Sequence, residues 1–452
     1  MTTIASVLAR GLDTRAAVIG TNVLDQTGPT FAAQFPGARA VIVADGNTWA
    51  VAGDAVAQSL AQAGILTDEP IVYPATPTLF ADDHTVDDLT ARLGATDAVA
   101  VSIASGSLND VTKLSSHRNN RSYLNVCTAA SVDGYTSFGA AITVNGVKGT
   151  QECPAPRAVI VPLDIMAAAP TRLTATGYGD LIEKIPAGAD WIVADELGRE
   201  HIDDDVWGLV QGPLRDALAD PVGLRKGDLT AITKLSEGLI MSGLAMQVMG
   251  SSRPASGAGH YFSHQWEMEG LGREWEPPLS HGFKVGLGTV AMCALYEQFL
   301  KLDMTRYDIA ARLAHWPSPQ ADEARVRALQ SNPVICEASV IASAGKYVTS
   351  AHAEAWLHHI LDRWGALESR VASQVLLAAV VEDMLRQVGA VHHPAQVGLS
   401  LEDLRHTYYQ AQTIRTRYTS LDTLQELGLL NTVVDSLFAP GGYWHTRPTP
   451  ED

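Results

Sequence analysis

Two histidines four residues apart, His260 and His264, stand in the segment Ser251–His264 (SSRPASGAGHYFSH). On a helix they share one face. A third, His281, follows in SHGFKVGLG, and Asp180 precedes in GYGDLIEK. Two imidazoles and a carboxylate make a three-ligand protein site suited to zinc, nickel or iron(II), with coordination positions left open for a substrate. The spacing also fits a pair of hydrogen-bonded interior histidines. The doublets His358–His359 and His392–His393 read as structural or exposed.

Two further segments carry small polar residues directly after β-branched runs. In Ala104–Asp110 (ASGSLND) the small side chains let a backbone approach a pyrophosphate, and free N–H groups at a helix start would receive its charge. Thr128–Ser137 (TAASVDGYTS) places Asp133 and Tyr135 in a similar setting. Asp45 closes the run VIVAD, where a carboxylate can accept the hydroxyls of an adenine ribose and would repel a 2′-phosphate. That favours NAD over NADP.

These residues need elements to hold them. Short β-branched runs recur at Arg39–Asp45, Pro70–Pro74, Ala98–Ala104, Tyr123–Thr128 and Ala158–Leu163, with helical spacing between them at Trp49–Gly64 and Val86–Gly94. Strands alternating with helices imply crossover units and a parallel sheet, with the loops after Asp45, Ala104 and Thr128 on one rim. Beyond about residue 166 helical spacing takes over, as in Gly227–Met249, Ser339–Leu361 and Ser369–Val388. Ser400 followed by Asp403 signals another helix start. The expected organisation is an α/β domain over 1–165, an all-helical domain over 166–438, and a surface tail over 439–452 rich in Pro and Gly.

The chain of 452 residues is 46% hydrophobic and 18% charged, with a formal net charge of −18. Such a field repels nucleic acid and anionic membranes, so an anionic ligand needs a few local cations inside a cleft. The four cysteines show no CxxC spacing and read as free thiols in a reducing cytoplasm. No apolar run approaches the ~20 residues of a bilayer span, and the N-terminal segment lacks a secretion signal.

Taken in order, VIVADGNTW, SGSLNDVTK, TAASVDGYTS, NGVKGT, GYGDLIEKIPAGADW, SSRPASGAGHYFSH and SHGFKVGLG resemble the glycerol-1-phosphate dehydrogenase family. That family belongs to the iron-containing alcohol dehydrogenase and dehydroquinate synthase-like superfamily. The resemblance covers residues 15–300 and implies a Rossmann-like domain followed by a helical domain, with the active site between them. It implies metal ligands at Asp180, His260 and His281, with zinc ahead of nickel or iron. It further implies substrate contacts or proton handling at Asp133 and His264. The cofactor pyrophosphate should lie along Gly106, Ser107, Leu108, Asn109 and Asp110, and Thr128, Ser131 and Ser137 should line the rest of the groove.

A phosphorylated substrate requires cations anchored to these motifs, and Arg253, Lys148 and Lys184 are the candidates, beside Asp180 itself at the substrate position. One departure stands out: Gly259 precedes His260 where the family usually has glutamate, so a partner of His260 is absent or replaced. The expected reaction is NADH-linked reduction of dihydroxyacetone phosphate in a cytoplasmic homo-oligomer. A related dehydrogenase of another polyol, polyol phosphate or phosphonate aldehyde, a sugar phosphate cyclase, and a non-catalytic binding protein are the alternatives. Asp180 opposes the cyclase, whose first ligand is usually glutamate.

Overall fold

In the computed structural model, which describes residues 3–447 and 449, the N-terminal third is built on a six-stranded sheet. Its strands are β1 (Ala16–Gly20), β2 (Ala40–Asp45), β3 (Ile71–Tyr73), β4 (Val99–Ala104), β5 (Leu124–Cys127) and β8 (Ala158–Pro162), in the order β1-β8-β5-β4-β2-β3 with every pairing parallel. Parallel neighbours end on one rim, so the loops after Asp45, Ala104 and Cys127 emerge side by side. The period-two alternation sends Val41, Val43 and Ala100 to one buried cluster and Ala40, Ile42 and Val101 to the other. A sheet covered on both faces reads as near-continuous apolar runs, which is how the interior strands show themselves in the sequence.

Several elements differ from expectation. The edge strand β1, AAVIG, went unread although it is a short apolar run; at the sheet edge it is only partly buried. A two-stranded antiparallel hairpin, β6 (Ala140–Val144) and β7 (Val147–Gln151), projects between β5 and β8 and carries Lys148. The stretch Trp49–Gly64 contains a π-type turn at Trp49–Gly53 before regular helix resumes at Asp54.

The remainder is helical. The helices that matter here are α1 (Gly106–Arg118), still within the sheet domain, then α2 (Thr171–Ile182), α3 (Lys184–Glu196), α4 (Leu229–Met249), α5 (Ala258–Met268), α6 (His281–Phe299), α7 (Leu401–Thr413) and α8 (Ser420–Leu427). The capping box at Ser400 forms as expected, with Ser400 and Asp403 exchanging side-chain bonds. Ser339–Leu361 is not continuous: helices Pro333–Ala344 and Ser350–Gln374 are separate. Lys346 is drawn to Asp422 and to the Gln412 carbonyl, both at 2.7 Å, and Trp316 takes the Val348 carbonyl. Ser369–Val388 is likewise broken after Gln374, where Glu297 accepts from the Ala378 N–H and starts a new helix. Tertiary hydrogen bonds override local helical spacing at both points.

No helix among the described residues is long and apolar enough to cross a membrane. The tail from Ala439 is largely exposed, with one correction: Trp444 is 1% exposed and stacks on Phe438. Residues 448 and 450–452 of that tail lie outside the described residues.

Candidate active site

The three strand-end loops and the helical half face each other across a cavity of about 680 Å³. The floor on the helical side depends on close backbone packing. A Cβ on Gly179 of α2 would meet the Gly282 carbonyl of α6 at 2.3 Å, and one on Gly282 would meet the Thr176 carbonyl at 1.9 Å. Only glycines allow the two helices to touch backbone to backbone there. The adjoining residues, Asp180 and His281, are thereby brought together. His260 arrives from the first turn of α5, and one potential ligand atom from each of the three side chains falls within 4.8 Å of the others.

Each imidazole is held from behind. His260 Nδ1 lies 2.7 Å from Glu183 Oε2, and His281 Nδ1 lies 2.9 Å from Glu267 Oε1. A carboxylate accepting from Nδ1–H leaves the Nε2 lone pair facing inward, the orientation a metal-ligating histidine needs. Asp180 Oδ2 accepts from the Asp133 N–H at 3.0 Å, and its Oδ1 lies 2.8 Å from Lys184 Nζ and 3.4 Å from His260 Nε2. Two imidazole nitrogens and a carboxylate with their outer valences satisfied fit a single divalent ion.

The absence of glutamate at position 259 finds its physical reason here. A Cβ on Gly259 would lie 2.8 Å from Glu183 Cγ. Glu183, fully buried, fills that space and supplies the carboxylate instead, also accepting from the Gly257 N–H at 3.1 Å.

Charges in the floor are strongly coupled. Burial alone would raise the Asp180 carboxyl, but Lys184, His260 and His281 hold it well below the usual carboxylate range. Burial would likewise raise Glu267, and Lys148 and His281 outweigh it and hold it low. Burial, with help from Arg415 and His281, pushes His264 down to about 3, so its ring is neutral at any working pH. With Nδ1 directed at Glu267 Oε2 at 3.3 Å, the neutral ring offers Nε2 as an acceptor. Burial also brings the Lys284 ammonium down to about 8.

The remaining expected residues divide. Asp45, Gly106, Ser107, Leu108, Asp110, Thr128, Ser131, Asp133, Ser137, Lys148 and His264 all line the cavity. The first turn of α1 has no side-chain cap, so its N–H groups stay open to the cavity, as a pyrophosphate site requires. Asp45 caps the turn after β2 through Oδ1, which accepts from Asn47 and Thr48.

Asn109 does not line the cavity: it is buried, accepting from Tyr123 and donating to the Gly134 carbonyl, and so it braces the loop rather than meeting a ligand. Lys184 lies beneath the floor, 2.9 Å from Asp133 and 2.8 Å from Asp180, with no face open to the cavity. Asp180 is itself 1% exposed and sits at the same depth.

Arg253 is a correction. It points away from the cavity, donating to the carbonyls of Asp190 at 2.9 Å and Tyr418 at 3.3 Å and pairing with Glu200 at 3.2 Å. Proximity in sequence to His260 did not fix which way its long side chain would turn.

Sequence reasoning missed Glu183, Glu267, Lys284 and Arg417. Glu267, three residues after His264 on one helix face, was within reach of the spacing argument. Glu183 and Lys184 are adjacent charges at the head of an otherwise apolar run, which also marks buried pairing.

A parallel sheet whose strand ends face an aspartate and two histidines on a helical floor defines the class: the architecture of metal-dependent alcohol dehydrogenases of the dehydroquinate synthase-like kind. The chain belongs to the iron-containing alcohol dehydrogenase family, whose family model matches residues 18–170. A glycerol-1-phosphate dehydrogenase (NAD(P)+) from Halalkalibacterium halodurans is 38% identical over 257 residues, covering 57% of this chain and 64% of the relative. The chain thus spans just under two thirds of that relative's length. One of the same name from Bacillus licheniformis is 32% identical over 292 residues, 62% of this chain and 70% of the relative. Among solved structures, a probable glycerol dehydrogenase from Sinorhizobium meliloti superposes with a TM-score of 0.58 at 14% identity, covering 94% of this chain and 98% of that one. That likeness concerns the fold.

Proposed function

We propose that this protein is a metal-dependent, NAD(H)-linked dehydrogenase that interconverts dihydroxyacetone phosphate and sn-glycerol 1-phosphate. The observation that carries the reading is the convergence of Asp180, His260 and His281 within 4.8 Å on the floor of a cleft whose opposite rim offers the open helix start at Gly106. The names of the two relatives support the substrate. A divalent ion held by these three residues, with zinc the first choice, supplies Lewis acidity to a ketone oxygen, and the nicotinamide supplies hydride.

The chain's own residues do the rest. The first turn of α1 binds the pyrophosphate, and Asp45 keeps Oδ2 for the ribose hydroxyls, which favours NAD over NADP. Asp133 is fixed by Ser242 at 2.9 Å and Lys184 at 2.9 Å, both on Oδ2, so Oδ1 is left to accept from a substrate hydroxyl. His264 does the same through Nε2. Together they would orient the substrate, and such alignment contributes much of the rate.

The test is to mix metal-loaded protein with NADH and follow its absorbance. Oxidation with dihydroxyacetone phosphate, and little with unphosphorylated glycerone or glyceraldehyde phosphate, is expected. Oxidation only with other carbonyls would overturn the substrate assignment.

A further inference from the structure

Arg253 faces the protein interior, which leaves the question of which cation meets an anionic substrate. Arg417, in the loop between α7 and α8, lines the cavity beside Ser251, Ser252, Ser256 and His264. Its Nη1 donates to the Ser256 carbonyl at 2.7 Å and its Nη2 to Ser252 Oγ at 2.9 Å. A guanidinium has five N–H donors, so others remain for a ligand. Among the described residues no carboxylate lies within ion-pairing distance of Arg417 or of Arg415, two positions earlier. In a chain of net charge −18, Arg417 is thus a cavity-lining cation with no carboxylate partner, while Arg415, which does not line the cavity, feels Glu267.

The loop is rigidly placed. Arg253 holds the Tyr418 carbonyl; Asp422 accepts from the Thr419 N–H at 2.8 Å; and Asp190 Oδ1 accepts from the Ser420 N–H at 3.0 Å and its hydroxyl at 2.8 Å. Asp190 Oδ2 also accepts from the Ala258 N–H at 2.7 Å, at the start of α5. The segment that presents Arg417 and the helix that carries His260 and His264 are therefore fastened to one buried carboxylate. Ser252 Oγ accepts from Arg417, which frees its own hydroxyl hydrogen for a second bond. Two lysines on the cavity wall are already compensated: Lys148 lies 3.8 Å from Glu267, and Lys284 lies near the same carboxylate and donates to the Leu279 carbonyl at 3.1 Å. Arg172 and Arg273 are exposed, the first near Glu276 and the second stacked on Phe80.

We propose that Arg417, with Ser252 beside it, forms the subsite that takes the phosphate of a phosphorylated ketone. This rests on the substrate reading above. Arg253 is then a positioning residue that holds Arg417 from the far side, and the phosphate end of the substrate lies toward α7–α8 with its carbonyl toward the metal ligands. A planar fork suits the phosphate oxygens better than a single ammonium would.

The experiment uses the full-length, metal-loaded protein with saturating NAD+, so that the pyrophosphate groove is filled, and inorganic phosphate as the probe. Phosphate should raise the melting temperature of the wild type and have little effect on Arg417→Gln, with Arg417→Lys intermediate. In turnover, Arg417→Gln should raise the KM for dihydroxyacetone phosphate about 10- to 100-fold, the range expected for loss of a charged hydrogen bond, while the KM for NADH changes less than about twofold. A phosphate-induced shift that survives in Arg417→Gln and disappears in Lys148→Ala would overturn the proposal, as would equal changes in both KM values. A wild type that ignores dihydroxyacetone phosphate, yet shows an Arg417-dependent phosphate shift, supports the subsite and overturns the substrate reading.

Discussion

The helical half holds two dense clusters of buried charge, and they are built in opposite ways. One surrounds a small cleft of about 40 Å³ between the segment 312–348 and α7–α8, too small for anything larger than a few waters. There every group closes on a neighbour. Arg312 donates to the carbonyls of Glu426, Gln425 and His315; Arg325 pairs with Asp322 at 2.9 Å; Lys346 pairs with Asp422 at 2.7 Å; and Glu426 accepts from Trp356 at 2.7 Å and Tyr418 at 2.5 Å. The other cluster is the cavity floor. Its histidines are also bonded to carboxylates, but on one side only, and the free nitrogens converge with Asp180. Charge density does not separate the two. What separates them is the direction of the unused valence: inward-closed networks fix helices, and a network left open toward one shared point can bind an ion.

That contrast can be broken at its strongest place first. His281→Ala removes a ligand, and it should abolish stoichiometric metal and lower kcat/KM by on the order of 10³-fold or more, since Lewis-acid activation provides several kcal/mol. Metal analysis and NADH oxidation check this together; full metal content in the variant would remove His281 from the ligand set. Glu183→Gln leaves all three ligands in place and weakens only the bracing of His260. Metal affinity should fall about 10- to 100-fold, read by competition with a chromophoric chelator, while the fold is retained. An unchanged affinity would make Glu183 a packing residue.

The closed cluster should respond in stability rather than in metal binding. Burial raises the Glu426 carboxyl from 4.5 to about 7, against the lowering influence of Tyr418 and Trp356. A carboxyl raised on folding makes the native state bind the extra proton, so stability is lost as pH rises from 4.5 to 7 and stays lost above. Glu426→Gln should therefore stabilise the protein at pH 8 by about 1–3 kcal/mol and be near neutral at pH 4, as urea melts at the two pH values would reveal. An equal effect at both would show that the carboxylate is not desolvated. A change in metal content would mean that the two clusters are coupled rather than independent.

The legibility of the two clusters in the sequence differs for the same physical reason. The floor residues sit in motifs with internal spacing, such as the four-residue step from His260 to His264 and the strand-to-helix turn at Gly106. The strand-end rim follows from parallel pairing alone, and for that reason the strand pattern suffices to place the three loops together. Glu183 showed itself only as a charge due for burial, because the partner that gives it meaning, His260, lies 77 positions away, and Arg417 was invisible because its partner Ser256 lies 161 positions away. Arg253 misled for the converse reason: a long side chain near a motif has as many directions open to it as rotamers, and Asp190, Tyr418 and Glu200 decided among them. The hairpin bearing Lys148 was legible but unread, because Asn145 and Gly146, both at positive φ, form the two-residue turn that joins its strands; the helix breaks near Gly345 and Val375 depend on tertiary hydrogen bonds to Lys346, Trp316 and Ala378.

The most direct measurement is anomalous diffraction from crystals of zinc-loaded protein, recorded on both sides of the zinc absorption edge. One peak about 2.0–2.2 Å from Asp180, His260 Nε2 and His281 Nε2 together is the result the account predicts. Zinc bound in full but centred elsewhere, with those three side chains turned apart, would contradict it.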